Sequence, residues 1–182
     1  MIKSKRIFKD CFLFQSKSHT DHRGYLFERF KKDVIEEETG VDIHIAQENV
    51  SHSVQNVIRG IHYQFGPPQH KLVSVDEGII FDVVVDLRVG SSTFGKWAGV
   101  YLGGEDEMQL WVPSGFGHGF QVVSESARVN YKMTEPWNPE LESGINPLDK
   151  TLNIHWPMID NAIMSEKDRN SLGYNEAKYF NE

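Results

Sequence analysis

Short runs of β-forming residues, each ended by turn residues, recur along most of this 182-residue chain. The runs are rich in Val, Ile, Phe and Tyr and follow one another about every ten residues, the spacing of an all-β sandwich or barrel. The predicted strands are residues 25–30, 43–50, 57–63, 72–76, 79–87, 97–101, 109–112, 117–123 and 128–133. After Tyr131 the sequence is rich in proline and indicates loops.

Two short segments predict helices. Residues 31–39 end at Gly40, which is placed as the residue that stops the helix. Residues 165–170 begin with Ser165 as N-cap and carry Asp168 at the third helical position, a spacing that resembles a capping box. No internal boundary is visible, so residues 1–182 are interpreted as one domain. Because antiparallel strands leave open edges, a homodimer that pairs those edges is expected.

Composition limits the classes of partner. Hydrophobic residues make up 39% and aromatic residues 12%, which is enough for a core. The formal net charge of −7 argues against nucleic-acid binding, while a locally basic pocket can still bind a small anion. Cys11 is the single cysteine, and neither a signal peptide nor a membrane-spanning run is evident, so a cytoplasmic protein is expected.

A histidine within the predicted strand 57–63 is the first candidate for chemistry. In the segment Arg59-Gly60-Ile61-His62-Tyr63-Gln64, alternation predicts that His62 and Gln64 share one face and Arg59 the other. A lone strand histidine is more often structural than catalytic. A catalytic role becomes the better interpretation because other predicted strands carry Lys71, His118 and Tyr131. A purely structural core would avoid so many polar groups.

Other chemistry has weaker support. A metal site built from His62, His118 and a carboxylate is conceivable, but the ligand spacing of known zinc or iron sites is absent, and no metal is expected. Dinucleotide, P-loop and nucleophile-elbow motifs are also absent. The chemistry is therefore predicted to need acid and base groups and no cofactor.

Three aspartates have structural alternatives. Asp82 and Asp86 share one face of a predicted strand. Two interpretations are open: both are solvent-facing positions of a half-buried strand, or one of them is buried against a partner such as a histidine. By its local pattern alone, Asp168 is better explained as a helix-capping residue than as a catalytic partner.

Seven stretches along the chain form a recognisable ordered set. They are residues 21–28 (DHRGYLFE), 47–64 (QENVSHSVQNVIRGIHYQ), 71–86 (KLVSVDEGIIFDVVVD), 92–97 (STFGKW), 110–120 (LWVPSGFGHGF), 131–132 (YK) and 153–168 (NIHWP to SEKD). Together they resemble the dTDP-4-dehydrorhamnose 3,5-epimerase family. The resemblance implies a cupin-type jelly roll (double-stranded β-helix), a homodimer with exchanged N-terminal strands, and no metal.

The resemblance also implies residue roles. His62 would be the base, Asp168 its carboxylate partner, Tyr131 the acid on the opposite face of the sugar, and Lys71 the group that stabilises the enolate. The residues implied to bind or surround the substrate are Arg23, Glu28, Gln47, Asn49, Arg59, His118 and Trp137.

The resulting prediction is an isomerase of deoxysugar biosynthesis, serving products such as dTDP-rhamnose, lipopolysaccharide or O-antigen. It would invert C3, C5 or both in a nucleotide-diphospho-4-keto-6-deoxyhexose. The alternatives are a 3-only or 5-only epimerase acting on a CDP- or GDP-linked sugar, a keto-isomerase, a metal-dependent cupin and a non-catalytic sugar-binding cupin. Leu26 and Trp137 stand where family members commonly carry an aromatic residue and a tyrosine, so the nucleotide and the number of centres stay open.

Overall fold

The computed structural model describes residues 2–104 and 107–181. The strands are β1 (Ile2–Phe8), β2 (Cys11–Ser16), β3 (Ser18–Asp21), β4 (Gly24–Phe27), β5 (Gln47–Val54), β6 (Ile58–Gln64), β7 (Lys71–Glu77), β8 (Ile79–Asp86), β9 (Arg88–Val89), β10 (Trp97–Gly103), β11 (Met108–Val112), β12 (Phe116–Val122), β13 (Ser126–Met133), β14 (Glu142–Gly144) and β15 (Phe180–Asn181). The helices are α1 (Lys32–Thr39) and α2 (Glu166–Arg169). Within the described ranges, every helix is too short or too polar to cross a membrane.

Two antiparallel sheets pack face to face. One has six strands in the order β1-β2-β11-β7-β13-β5, and the other has five in the order β10-β8-β12-β6-β14. Apolar side chains from both sheets meet between them, among them Val73 and Val129 from the first and Val84 and Phe120 from the second. The predicted all-β, cupin-type jelly roll is confirmed.

Strand β8 is buried on both faces. Ile80 and Val84 point between the sheets, while Val83 and Val85 pack under the C-terminal segment, which contributes Trp156 and other apolar residues. A strand covered on both sides needs apolar residues at nearly every position, which explains the continuous run in this part of the sequence.

Helix α1 packs on the six-stranded sheet through Ile35, which contacts the cluster around Phe14 and Trp111. It ends at Gly40, whose φ of 71° is left-handed and whose N–H donates to the carbonyl of Glu36. The predicted helix and its glycine stop are confirmed.

Strands β1, β2, β3, β9, β14 and β15 were not predicted, and the predicted strand 25–30 ends at Phe27. Strand β5 lies four residues later than the predicted strand 43–50, because Ile43 is buried in the α1 cluster and its N–H donates to Glu36 at 2.7 Å. Strand β14 lies in the region predicted to be loop, where it pairs with β6. A strand as short as Glu142–Gly144 has too few residues to show alternation.

Candidate active site

A cavity of about 310 Å³ opens between the two sheets. The five-stranded sheet contributes His62 from β6 and His118 from β12, which are direct partners in the strand register. The six-stranded sheet contributes Lys71, Tyr131 and Asn49. The structure therefore gathers the predicted histidines, lysine and tyrosine around one space, with the histidines on one wall and the tyrosine on the other.

His62 is paired with Asp168. Its Nε2 lies 2.7 Å from Asp168 Oδ1, and Asp168 Oδ2 accepts the Gly60 N–H at 3.4 Å. Burial acts to raise the pKa of Asp168, but the hydrogen bond and the charge of His62 outweigh it, and the pKa is lowered. A carboxylate at Nε2 holds the proton there and leaves Nδ1 of the neutral ring as a base.

Helix α2 positions Asp168. Ser165 caps this helix by accepting the backbone N–H of Asp168 at 3.0 Å, so the predicted capping serine is confirmed. The carboxylate of Asp168 reaches His62, and a hydrogen bond with Ser165 also helps to lower its pKa, so the place in the capped helix and the pairing with His62 coexist. One residue thus uses its backbone for the helix and its side chain for the cavity.

A second histidine–carboxylate pair lies deeper in the same sheet. His118 Nε2 is 2.6 Å from Oδ1 of Asp82, whose side chain is fully buried. Both strand aspartates are buried, so the solvent-facing interpretation is wrong, and the prediction that one of them meets a histidine is confirmed. Asp86 instead accepts hydrogen bonds from Arg88, Ser91 and Thr93.

Lys71 and Tyr131 share one face of the six-stranded sheet, because Tyr131 pairs with Val73 and Met133 pairs with Lys71. Burial lowers the pKa of Lys71 to about 8, although Glu142 and Asp82 act to raise it. Burial also raises the pKa of Tyr131. The tyrosine therefore keeps its proton at neutral pH, while the lysine is largely charged.

Arg59 lines the same cavity as His62, contrary to the prediction that it faces the other way. The register of β6 and β12 shifts between the pair His118–His62 and the pair Phe120–Arg59, so β6 carries one extra residue there. A β-bulge breaks the alternation of side chains and turns Arg59 inward. Its Nε donates to Ser53 at 3.0 Å.

Trp137 lies at the rim of the cavity with half of its surface exposed. Side-chain amides hold its loop: Gln47 accepts the Trp137 N–H at 2.8 Å, and Gln64 accepts the Asn138 N–H at 2.8 Å. Gln47 also donates to Asn49 at 3.0 Å. Gln47 thus supports the rim, while Asn49 lines the cavity itself.

Arg23 and Glu28 do not join the cavity of their own chain. Arg23 lies in the β3–β4 hairpin, where it is exposed and paired with Asp21 at 2.6 Å. Glu28 follows that hairpin and is also exposed. The prediction that these two residues bind the substrate is not met within one protomer.

Several residues around the cavity were not predicted. They are Tyr63, Gln64, Gln69, Phe120, Met133, Glu142 and Lys167. Gln64 and Lys167 belong to the quoted stretches RGIHYQ and SEKD and were accessible from the sequence. Glu142 could not be singled out from the sequence, since it is one of three glutamates in the proline-rich residues 135–142; it forms an ion pair with Lys167.

The residues that the structure describes contain no group of three or more His, Cys, Asp and Glu side chains arranged to hold a metal ion. The two cavity histidines are each committed to a separate carboxylate. The arrangement can remove a proton on one wall, donate one from the other, and stabilise negative charge between them. A jelly roll with these groups defines an acid–base isomerase of small molecules.

Comparisons with known proteins agree with this class. Residues 5–176 match the family model described as dTDP-4-dehydrorhamnose 3,5-epimerase. An enzyme of that name from Pseudomonas aeruginosa is 44% identical over 94% of both chains. Another, from Methanothermobacter thermautotrophicus, is 46% identical over 87% of this chain and 86% of its own. The chain belongs to the dTDP-4-dehydrorhamnose 3,5-epimerase family and is an epimerase.

A solved structure shows the same fold in complex with a sugar nucleotide. It is the dTDP-6-deoxy-D-glucose-3,5-epimerase from Legionella pneumophila Philadelphia 1 in complex with dTDP-4-keto-L-rhamnose. Its TM-score is 0.93 at 40% identity, over 98% of this chain and 95% of that chain.

Proposed function

We propose that this epimerase inverts C3, C5 or both in a dTDP-linked 4-keto-6-deoxyhexose, with His62 as base and Tyr131 as acid. The observation that carries the proposal is the placement of the His62–Asp168 pair and Tyr131 on opposite walls of one cavity. Inversion requires that a proton leave one face of a carbon and that another arrive on the opposite face. The names of the relatives support the choice of substrate.

The first step is proton removal beside the ketone. Nδ1 of neutral His62 takes the proton bound to carbon, and the electron pair of that C–H bond forms an enolate with the charge on the ketone oxygen. The ammonium of Lys71 has no ion-pair partner among the described residues and is available to stabilise that oxygen. Charge that develops in the transition state is thus met by a preorganised cation.

The second step returns a proton from the other wall. The Tyr131 hydroxyl donates to the opposite face of the carbon while the enolate collapses to the ketone. His62 is left protonated and Tyr131 ionised, and proton exchange with water resets both. Burial, which raises the pKa of Tyr131, favours its protonated starting form.

The cavity also suits the nucleotide. Arg59 and Lys167 place positive charge at a cavity of a chain whose net charge is −7, which favours an anionic diphosphate. The planar guanidinium of Arg59 matches pairs of phosphate oxygens. The half-exposed indole of Trp137 offers an apolar face on which a nucleobase can stack. A cytosolic reaction, part of the same proposal, is consistent with the free and buried Cys11.

The test is hydrogen exchange with solvent. Incubation of dTDP-4-keto-6-deoxyglucose with the protein in D₂O should introduce deuterium at C3, C5 or both, followed by NMR. The CDP- and GDP-linked sugars, run in parallel, test the choice of nucleotide. Failure of label to enter either carbon from any of these sugars would refute the epimerase proposal.

We also propose a homodimer in which the β3–β4 hairpin of one protomer completes the cavity of its partner. Tyr25 and Leu26 in this hairpin are 66% and 75% exposed, and adjacent apolar side chains with so much exposed surface are typical of a region that a partner covers. The outermost strand β5 exposes Val50 and Val54, while the opposite edge strand β1 is charged with lysine and arginine. Charged edges resist pairing, so β5 is the edge suited to a partner.

A complementation experiment tests this exchange. Arg23→Glu and His62→Ala should each be inactive alone. If Arg23 acts in the partner's cavity, mixed dimers hold one intact site each and an equal mixture recovers about a quarter of wild-type activity. No recovery, with mixed dimers present by mass spectrometry, would place Arg23 outside the partner's site.

A further inference from the structure

The buried pair of Asp82 and His118 is not used by the mechanism above. Asp82 lies on β8 and His118 on the neighbouring strand β12, with 2.6 Å between Oδ1 and Nε2. The His118 side chain is 9% exposed and that of Asp82 is not exposed at all. His118 is the direct register partner of His62, so this second pair adjoins the base.

We propose that Asp82 is a positioning residue of the active site: it holds His118 by Nε2 so that the Nδ1 edge faces the cavity, and its charge keeps Lys71 protonated. This inference rests on the proposed epimerase function. Asp82 does not line the cavity, but it would act on two residues that do, His118 and Lys71.

The first half of the proposal follows from hydrogen bonding. Because a carboxylate only accepts, Nε2 of His118 must carry a proton when Asp82 is ionised. The other ring nitrogen, Nδ1, is then the free one on a side chain that lines the cavity. The backbones of β6 and β12 lie close together beside His118, since a Cβ at Gly119 would approach the carbonyl oxygen of Arg59 to 2.7 Å. His118 is therefore held in one tautomer and one place.

The second half follows from an oxygen without a partner. Asp82 Oδ2 is buried and has no hydrogen-bond partner among the described residues. A bare carboxylate oxygen in the interior is costly unless a positive charge lies near it. Asp82 and Glu142 are the carboxylates that act to raise the pKa of Lys71, which burial lowers to about 8.

The surroundings of Lys71 show why this charge matters. The titratable and charged groups around its cavity come from six elements: Glu142, Asp82, Arg59, His62, Tyr63, His118, Tyr131 and Lys167. Arg59 and Lys167 are cationic and oppose a further positive charge. Without Asp82, the carboxylate left is Glu142, which is already paired with Lys167.

Asp86 shows what a structural aspartate looks like in the same strand. It is equally buried, yet its oxygens accept hydrogen bonds from Arg88, Ser91 and Thr93, all away from the cavity. The unsatisfied oxygen of Asp82 thus sets it apart from a purely structural neighbour. Asp86 is also the matched control.

The experiment compares Asp82→Asn and Asp86→Asn with wild type in pH profiles of kcat/KM for deuterium exchange. For Asp82→Asn we expect about a tenfold loss. We also expect the alkaline midpoint, near 8 in wild type, to move down by about half a pH unit or more, the scale of one charge acting across a few ångströms of protein. Asp86→Asn should lower the Tm and leave the midpoint in place. An Asp82→Asn profile that superimposes on wild type would overturn the inference.

NMR of the wild-type protein tests the same inference without substrate and without a variant that must fold. The ¹⁵N shifts of the neutral His118 ring should show the proton on Nε2 and none on Nδ1. A neutral ring protonated at Nδ1 would overturn the positioning role. Because this measurement needs no turnover, it separates a failure of this inference from a failure of the epimerase proposal, which the D₂O exchange decides.

Discussion

The two histidine–carboxylate pairs of the cavity differ in depth and in origin. Asp168 reaches His62 from a helix more than a hundred residues later in the chain, and 28% of the His62 side chain is exposed. Asp82 reaches His118 from the adjacent strand, and both are buried. A base must exchange its proton with water after each turnover, which the partly exposed ring of His62 allows. The buried pair suits a fixed orientation and a fixed charge.

The largest expected effect is that of removing the base. His62→Ala should abolish deuterium exchange at both C3 and C5, a loss of about 10⁴-fold, at the upper end of what general base catalysis contributes. The exposed His44→Ala is the control and should keep full activity. Exchange retained at either carbon in His62→Ala would assign that centre to another base, and His118 would be the first to examine.

Asp168→Asn should cost about 10²–10⁴-fold in kcat, since an amide no longer holds the tautomer of the catalytic histidine. The loss should exceed that of Asp82→Asn by at least about tenfold, because Asp168 orients the group that takes the proton. Equal losses of activity in Asp168→Asn and Asp82→Asn would contradict the proposed difference in role between the two histidine–carboxylate pairs.

The same variant has a defined pH signature in stability. The pKa of Asp168 is lowered in the folded protein, so its stabilising effect is complete above its ordinary pKa of about 3.9 and lost as pH falls through the folded value. The difference in unfolding free energy between wild type and Asp168→Asn should therefore shrink below about pH 4. Urea unfolding at several pH values measures it.

Lys71→Met should lower kcat by about 10²–10³-fold, the usual effect of losing one group that stabilises a developing oxyanion. It should also raise the Tm at pH 7. The folded pKa is about 8 and the ordinary value is higher, so at pH 7 the cost of burying the ammonium is fully present. That gain should vanish as pH rises through 8 toward the ordinary value. The exposed Lys150→Met should change neither property.

The smallest expected effect lies at the rim. Trp137→Ala should raise KM about tenfold with kcat nearly unchanged, because loss of one stacking aromatic removes binding that is equal in ground and transition states. Trp137→Tyr should restore most of the affinity. Calorimetry should show an unchanged Tm, since half of this indole is already exposed. A fall in kcat would mean that the rim also orients the sugar.

Much of the fold could be predicted because its signals are local. Runs of Val and Ile marked β8, and Gly40 marked the end of α1. The predicted strand 43–50 began too early, because Ile43 packs against α1 and not within a sheet. The periodicity of apolar residues indicates that a residue is buried, but it does not indicate which neighbour covers that residue.

The amino-acid sequence by itself determined the chemistry available: His62, Lys71, His118 and Tyr131 in strands, and a capped helix carrying Asp168. These follow from residue type and short-range pattern, which are properties of a segment alone.

The tertiary structure alone decided that Arg59 turns inward at a bulge, that Asp82 and not Asp86 meets His118, and that Arg23 lies outside its own cavity. The physical reason is that these outcomes depend on register and on pairing between strands far apart in the chain. Such contacts are set by the packing of two whole sheets, which no local stretch of sequence specifies.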